Sequence, residues 1–121
     1  MATDYSPVYK PGQATTHTLS ADVTAGQLVY VTGVDTVGPT GGVQISAFGV
    51  AAFSALSGEK VTVISGGVHI LGAPAAVTAG DLVTSSTTGG VATYSGTTAS
   101  QIIGVALNTA ASNLVTVKLF R

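Results

Sequence analysis

The chain has 121 residues, no cysteine, 7% charged residues and a formal net charge of −1. That length is about one domain's worth, and the missing thiols exclude a disulfide framework and a thiolate metal site. Four Lys and Arg are too few for a basic nucleic-acid footprint, and no run approaches the ~18 apolar residues of a membrane-spanning helix.

The start, "MATDYSPVYKPG", has neither the basic region nor the apolar stretch of a signal peptide. Residues 1–14 read as an extended arm, because Pro disfavours helix and cannot donate to a central sheet. Tyr5 and Tyr9 in this arm offer large contact area with a polar tip, which suits docking. Next comes "VTAGQLV" (Val23 to Val29), repeated almost unchanged as "VTAGDLV" (Val77 to Val83). In both copies the spacing predicts a turn with Gly26 or Gly80 left-handed, followed by a strand. "LVYVT" (Leu28 to Thr32) is apolar on both faces, as expected of a strand packed on two sides.

Val43 and Ile45, Val61 and Val63, Val68 and Ile70, then Val115, Val117 and Leu119 alternate with other residues. Period two with β-branched residues is the signature of half-buried strands. This phasing puts Leu71 and Phe120 on the exterior. Turns are expected at Thr40 to Gly42, Ser57 to Glu59, Ser65 to Gly67, Thr87 to Gly90 and Tyr94 to Gly96, with glycine supplying positive φ in hairpins. "ASQIIGVALNTAAS" could carry a helical stripe, but Gly104 interrupts it, so a strand through about Ala106 is expected, with a short helical turn allowed after it.

The twin heptapeptides open longer units. "FGVAAFSALSGEKVTV" follows the first and "IGVALNTAASNLVTV" the second, at offsets of 54 residues (Val23/Val77), 55 (Gly49/Gly104) and 54 (Val61/Val115). The stretch recurs because the turn and strand it encodes recur. The expected fold is all-β: a small barrel or sandwich of roughly eight to ten short strands, one domain over 15–121 with pseudo-repeats 23–64 and 77–118.

Of the 121 residues, 62 are Ala, Gly, Ser or Thr, so each buried position contributes little at roughly 25 cal/mol per Å². A compact monomer of this kind is only modestly stable. With so few charges to keep copies apart, exposed apolar surface points to a homo-oligomer or a subunit of a larger assembly.

Chemistry is hard to find. No nucleophile elbow, phosphate-cradling loop or HExxH pattern is present. His17 and His69 lie on different expected strands with no acid near in sequence, and Asp4, Asp22, Asp35, Glu59 and Asp81 sit mostly beside turns, where Asp is a routine cap. The glycine pairs precede β-branched residues rather than helices, so no cofactor is expected. The chain reads as a non-enzyme.

The combined pattern resembles the small phage proteins that decorate, or cement, the heads of tailed bacteriophages. The matching elements are "YKPGQATTHTL", "VTAGQLVYVTG", "GVAAFSALSGEKVTVISGGVHIL", "VTAGDLV" and "IGVALNTAASNLVTVKL", covering about Tyr9 to Arg121. The resemblance implies a virion structural protein, commonly a homotrimer, that binds the outer surface of the capsid and reinforces contacts between subunits of the major capsid protein. On that reading Tyr5, Pro7, Val8, Tyr9 and Pro11 grip the capsid or a neighbouring copy, while Leu71 and Phe120 contribute to subunit packing. A rival reading is a carbohydrate-binding head-fibre or adhesin module, with Tyr30 and Tyr94 as aromatic platforms; a hydrolase would need His and acids converging in a pocket.

Overall fold

Strand after strand of small and β-branched residues builds a two-part β-structure in a computed structural model, which describes residues 14–120. The strands are β1 (Ala14–Leu19), β2 (Leu28–Gly33), β3 (Thr36–Pro39), β4 (Ala47–Ala51), β5 (Lys60–Ile64), β6 (Val68–Gly72), β7 (Leu82–Ser85), β8 (Val91–Thr93), β9 (Gly104–Ala106) and β10 (Leu114–Leu119). Two single-turn 3-10 segments, Thr87–Gly89 and Ala99–Gln101, interrupt them. The second lies before β9, on the side opposite to the helical turn allowed by the sequence.

The duplication is visible in the strand order. The first half runs β1-β5-β4-β2-β3 and the second β6-β10-β9-β7-β8, the same sequence of neighbours. In the first half β3 also pairs in parallel with β1, through Thr18↔Thr36 and Leu19↔Val37, and this closes a five-stranded barrel. In the second half β6 and β8 are the two ends of an open sheet and do not pair, although a Cβ on Gly90, just before β8, would fall 2.6 Å from the Gly72 carbonyl oxygen of β6. The structural repeat therefore begins earlier than the sequence repeat, at β1 and β6.

Hydrogen bonds repeat atom for atom. Gln27 N donates to Thr24 O (3.1 Å) and Asp81 N to Thr78 O (3.0 Å), closing turns whose third residues, Gly26 and Gly80, have φ of 88° and 90°. The residue after each glycine then caps its own turn: Gln27 Oε1 accepts from Thr24 N–H and Asp81 Oδ2 from Thr78 N–H, both at 2.9 Å. Ala25 N and Ala79 N donate to Ser54 Oγ and Thr109 Oγ1. Gly49 and Gly104 let β4 and β9 approach β5 and β10, since a Cβ there would lie 2.7 Å from Ile64 O and 2.5 Å from Lys118 O.

Two apolar clusters fill the molecule. The first-half barrel encloses Leu19, Val23, Val29, Val37, Ala51, Val61 and Val63. Their counterparts in the second half, Ala73, Val77, Val83, Val91, Ala106, Val115 and Val117, are joined by Leu71, Ile103 and Leu119 and by Leu28, Ala47 and Val50 from the first half. The halves thus share a core: the outer face of β2 and β4 packs on the end of the second half, with Leu28 and Ala47 facing Ile103 and Leu119. Polar clasps reinforce the joint. Fully buried Ser85 accepts from Gln44 N (2.7 Å) and donates to Gly42 O (2.8 Å), Thr40 Oγ1 donates to Ser86 O, and Gln27 Nε2 donates to Thr88 O at 3.1 Å.

Three expectations are corrected. Leu71 does not face the exterior: it is 0% exposed, and Val68 and Ile70 point out instead. β6 is an edge strand with apolar residues on both faces, so alternation alone leaves its phase undetermined. Val43 to Ser46 is not a strand; it is irregular chain that crosses to Ser85, whereas Thr36–Pro39, where no strand is expected from the sequence, is β3. Ser65 to Gly67 does not turn a hairpin, because β5 pairs with β1 and β4 while β6 pairs with β10; it carries the chain from one half to the other.

Candidate functional site

The outward face of the second sheet carries a row of exposed apolar residues. Ile70, 66% exposed, lies across from Thr116; Val68 lies across from Lys118, Lys118 across from Val105, and Val105 across from Leu82. Leu114 and Val68 are both about half exposed on the same sheet. A hollow of about 220 Å³ beside Ile70 and Leu114 is bounded by Asn108, Thr109, Ala111 and Thr116. A second, about 370 Å³, opens at the unsealed seam, between Gly72, Ala73, Pro74, Thr87, Thr88, Gly90 and Asn113. Neither hollow is lined by an ionisable side chain, so their chemistry is van der Waals contact and hydrogen bonding rather than acid–base work.

The first half presents apolar tips on loops instead. Val34, Val43, Ile45, Phe53 and Leu56 are exposed large residues set outside the strands. Exposed apolar groups on a surface this poor in charge favour contact with other protein.

Among the described residues, ionisable groups meet in one pair, which sequence reasoning missed. His17 on β1 bonds Asp35 through Nδ1 (2.7 Å) and Thr15 Oγ1 through Nε2 (2.7 Å), and its ring meets Phe48 edge-on at 5.4 Å. Asp35 reaches His17 because the β2–β3 turn places it at φ 52° and Thr18 N donates to its carbonyl. The Asp35 side chain is 70% exposed, so the pair is open to water. The pair lies beside the β1–β3 seam that closes the barrel. His69 is elsewhere, its Nε2 bonded to Gly66 O. Among the described residues no group of three or more His, Cys, Asp or Glu is arranged to hold a metal ion, and no helix is long and apolar enough to cross a membrane.

The expected capsid-gripping residues Tyr5, Pro7, Val8, Tyr9 and Pro11 lie outside the described residues. Of the two expected interface residues, Leu71 is inside the shared core and has no surface to offer. Phe120 is 55% exposed just after β10. Tyr30 packs half-buried against the shared core.

A family model described as phage cement protein matches residues 9–120. Among solved structures, the head fiber gp8.5 N base of bacteriophage phi29 is similar: TM-score 0.68 and 21% identity, over 88% of this chain and 92% of that one. At that identity the likeness speaks to the fold alone. No curated protein matches the chain.

Proposed function

The chain belongs to the phage cement protein family, and from that premise we propose that it is a virion structural protein that binds the outer surface of the phage head and reinforces contacts between major capsid subunits. The observation that carries this is the family match over residues 9–120, nearly the whole chain. The all-β scaffold with exposed Val68, Ile70, Leu114 and Phe120 supports it, because such a surface favours protein contact.

Reinforcement needs no reaction. A protein that binds the assembled shell and not its dispersed subunits stabilises the shell by mass action. If three copies act together as a homotrimer, each weak contact is made at high effective concentration, and the sum holds firmly. In this reading the arm residues Tyr5, Pro7, Val8, Tyr9 and Pro11 contact the capsid or a neighbouring copy, and Phe120 takes part in subunit packing.

Purified protein mixed with undecorated heads is expected to bind at a fixed number of copies per head and to raise the temperature at which heads rupture. Heads that bind none of it at saturating concentration would sink the proposal. A chain lacking residues 1–11 is expected to decorate at reduced occupancy; full occupancy would remove the arm from the account while leaving the rest intact.

A further inference from the structure

The strand β6 stands at one end of the second sheet, with β10 as its neighbour there. Antiparallel ladders alternate bonded and non-bonded pairs, and the bonds that flank this one fix its phase: Leu119 N donates to Gly67 O (2.9 Å) and Ala73 N to Asn113 O (2.8 Å). Alternation from these ends makes His69 and Leu71 the residues bonded to β10. Val68 and Ile70 therefore turn their N–H and C=O groups the other way, past the end of the sheet.

The first half shows what covers the matching edge there. Thr18 N donates to Asp35 O (3.2 Å) and Ser20 N to Val37 O (2.9 Å), which joins β1 to β3. In the second half Pro74 stands in the place of Ser20, since the residues just before them, Leu19 and Ala73, donate to Glu59 O and Asn113 O, each 54 positions further on. Proline has no N–H to give, so one of the bonds that shut the first half has no counterpart in the second. Gly72 is crowded by Gly90, and the edge is open from Val68 to Leu71.

Edge strands are normally blunted by lysine, proline or a bulge, because a bare ladder invites another chain. β6, with the sequence VHILG, has no lysine or proline, and its register with β10 runs unbroken over five residue pairs. Its outward side chains are apolar, Val68 at 55% and Ile70 at 66% exposure. Lys118 lies across from Val68, exposed and without an ion-pair partner among the described residues. Unused ladder groups, an apolar flank and an unpaired cation together fit an extended apolar segment that carries a carboxylate. We propose that β6 receives such a segment of a major capsid subunit as an added strand, Val68 and Ile70 making the backbone bonds and Lys118 the charge contact. The choice of the capsid subunit rests on the function proposed above; the open edge does not.

Full-length protein and undecorated heads test it. Ile70→Pro removes an edge donor that the β10 ladder does not use, and Val68→Lys adds a charge of the kind that guards such edges; thermal unfolding checks that both variants are folded. Each is expected to bind heads about tenfold more weakly than wild type, the equivalent of ~1.4 kcal/mol, and Lys118→Glu to weaken binding as well. Amide hydrogen exchange reads the edge without any substitution. Val68 and Ile70 are expected to exchange fast in the free chain and slowly on heads, with His69 and Leu71 slow in both. A photo-crosslinking residue in place of Val68 is expected to join a major capsid subunit. If wild type decorates heads while both edge variants decorate equally well, or while Val68 and Ile70 stay fast, strand addition is overturned and the proposed function stands. Crosslinking to a second copy in place of a capsid subunit would overturn the choice of partner, and heads that bind no wild type overturn both readings.

Discussion

At Gly49 and Gly104 a single missing carbon decides whether two strands can touch. A Cβ at either position would press on a backbone carbonyl, that of Ile64 or of Lys118, and backbone cannot swing aside as a side chain can. Gly49→Ala and Gly104→Ala are each expected to destabilise the protein by about 1–3 kcal/mol, the usual cost of overpacking, measured by urea unfolding. Gly26→Ala provides the contrast: nothing lies within 4 Å of its added Cβ, so only the left-handed backbone is strained, at roughly 1 kcal/mol. The turn glycines are legible in the sequence because what they do is local. The His17–Asp35 pair is not: the residues are 18 apart in sequence, and what unites them is the β2–β3 turn together with parallel pairing of β1 with β3.

Among the elements, the two VTAG turns are the most alike in form and the least alike in reach. Asp81 caps its turn and also accepts from Thr93 Oγ1 at 3.1 Å within its own half. Gln27 caps its turn with one amide atom and crosses to Thr88 with the other. Gln27→Glu keeps the cap acceptor and loses the cross-half donor, so it is expected to cost about 1 kcal/mol by thermal unfolding, whereas Asp81→Asn, which retains an acceptor within the same half, is expected to cost less. A Gln27→Glu variant as stable as wild type would show that the bond to Thr88 carries no weight. Strands with one polar face, β5 and β10, are readable from alternation, since Val61, Val63, Val115 and Val117 are buried as their spacing requires. For β6 the sequence marks the strand and misplaces its phase, because Val68, Ile70 and Leu71 are all apolar and only the partner strand decides which side is covered. Val43 and Ile45 mimic a strand, yet both are at least half exposed; the backbone of their neighbours Gly42 and Gln44 serves the joint with Ser85 rather than a ladder.

Across the whole molecule, the duplication is symmetric in strand order and asymmetric in burial, and that asymmetry ties the halves into one unit. Leu28, Ala47 and Val50 of the first half are buried in one cluster with Leu71, Ile103 and Leu119 of the second, so parting the halves would expose apolar surface on both. Their opening is expected to be concerted, without a stable half-folded species. The scarcity of charge gives this a practical consequence. Lys10 stands before Pro11, a bond that trypsin spares, and the remaining lysines are Lys60 and Lys118. Lys60 opens β5, flanked by β1 and β4, and Lys118 is in β10, flanked by β6 and β9. A protease needs loose, extended backbone, and neither site provides it until the ladders part. Digestion by trypsin should therefore be slow, and its rate should follow the population of fully opened chains as urea is raised. Rapid cutting after Lys60 or Lys118 under native conditions would reveal that one ladder peels away independently of the other.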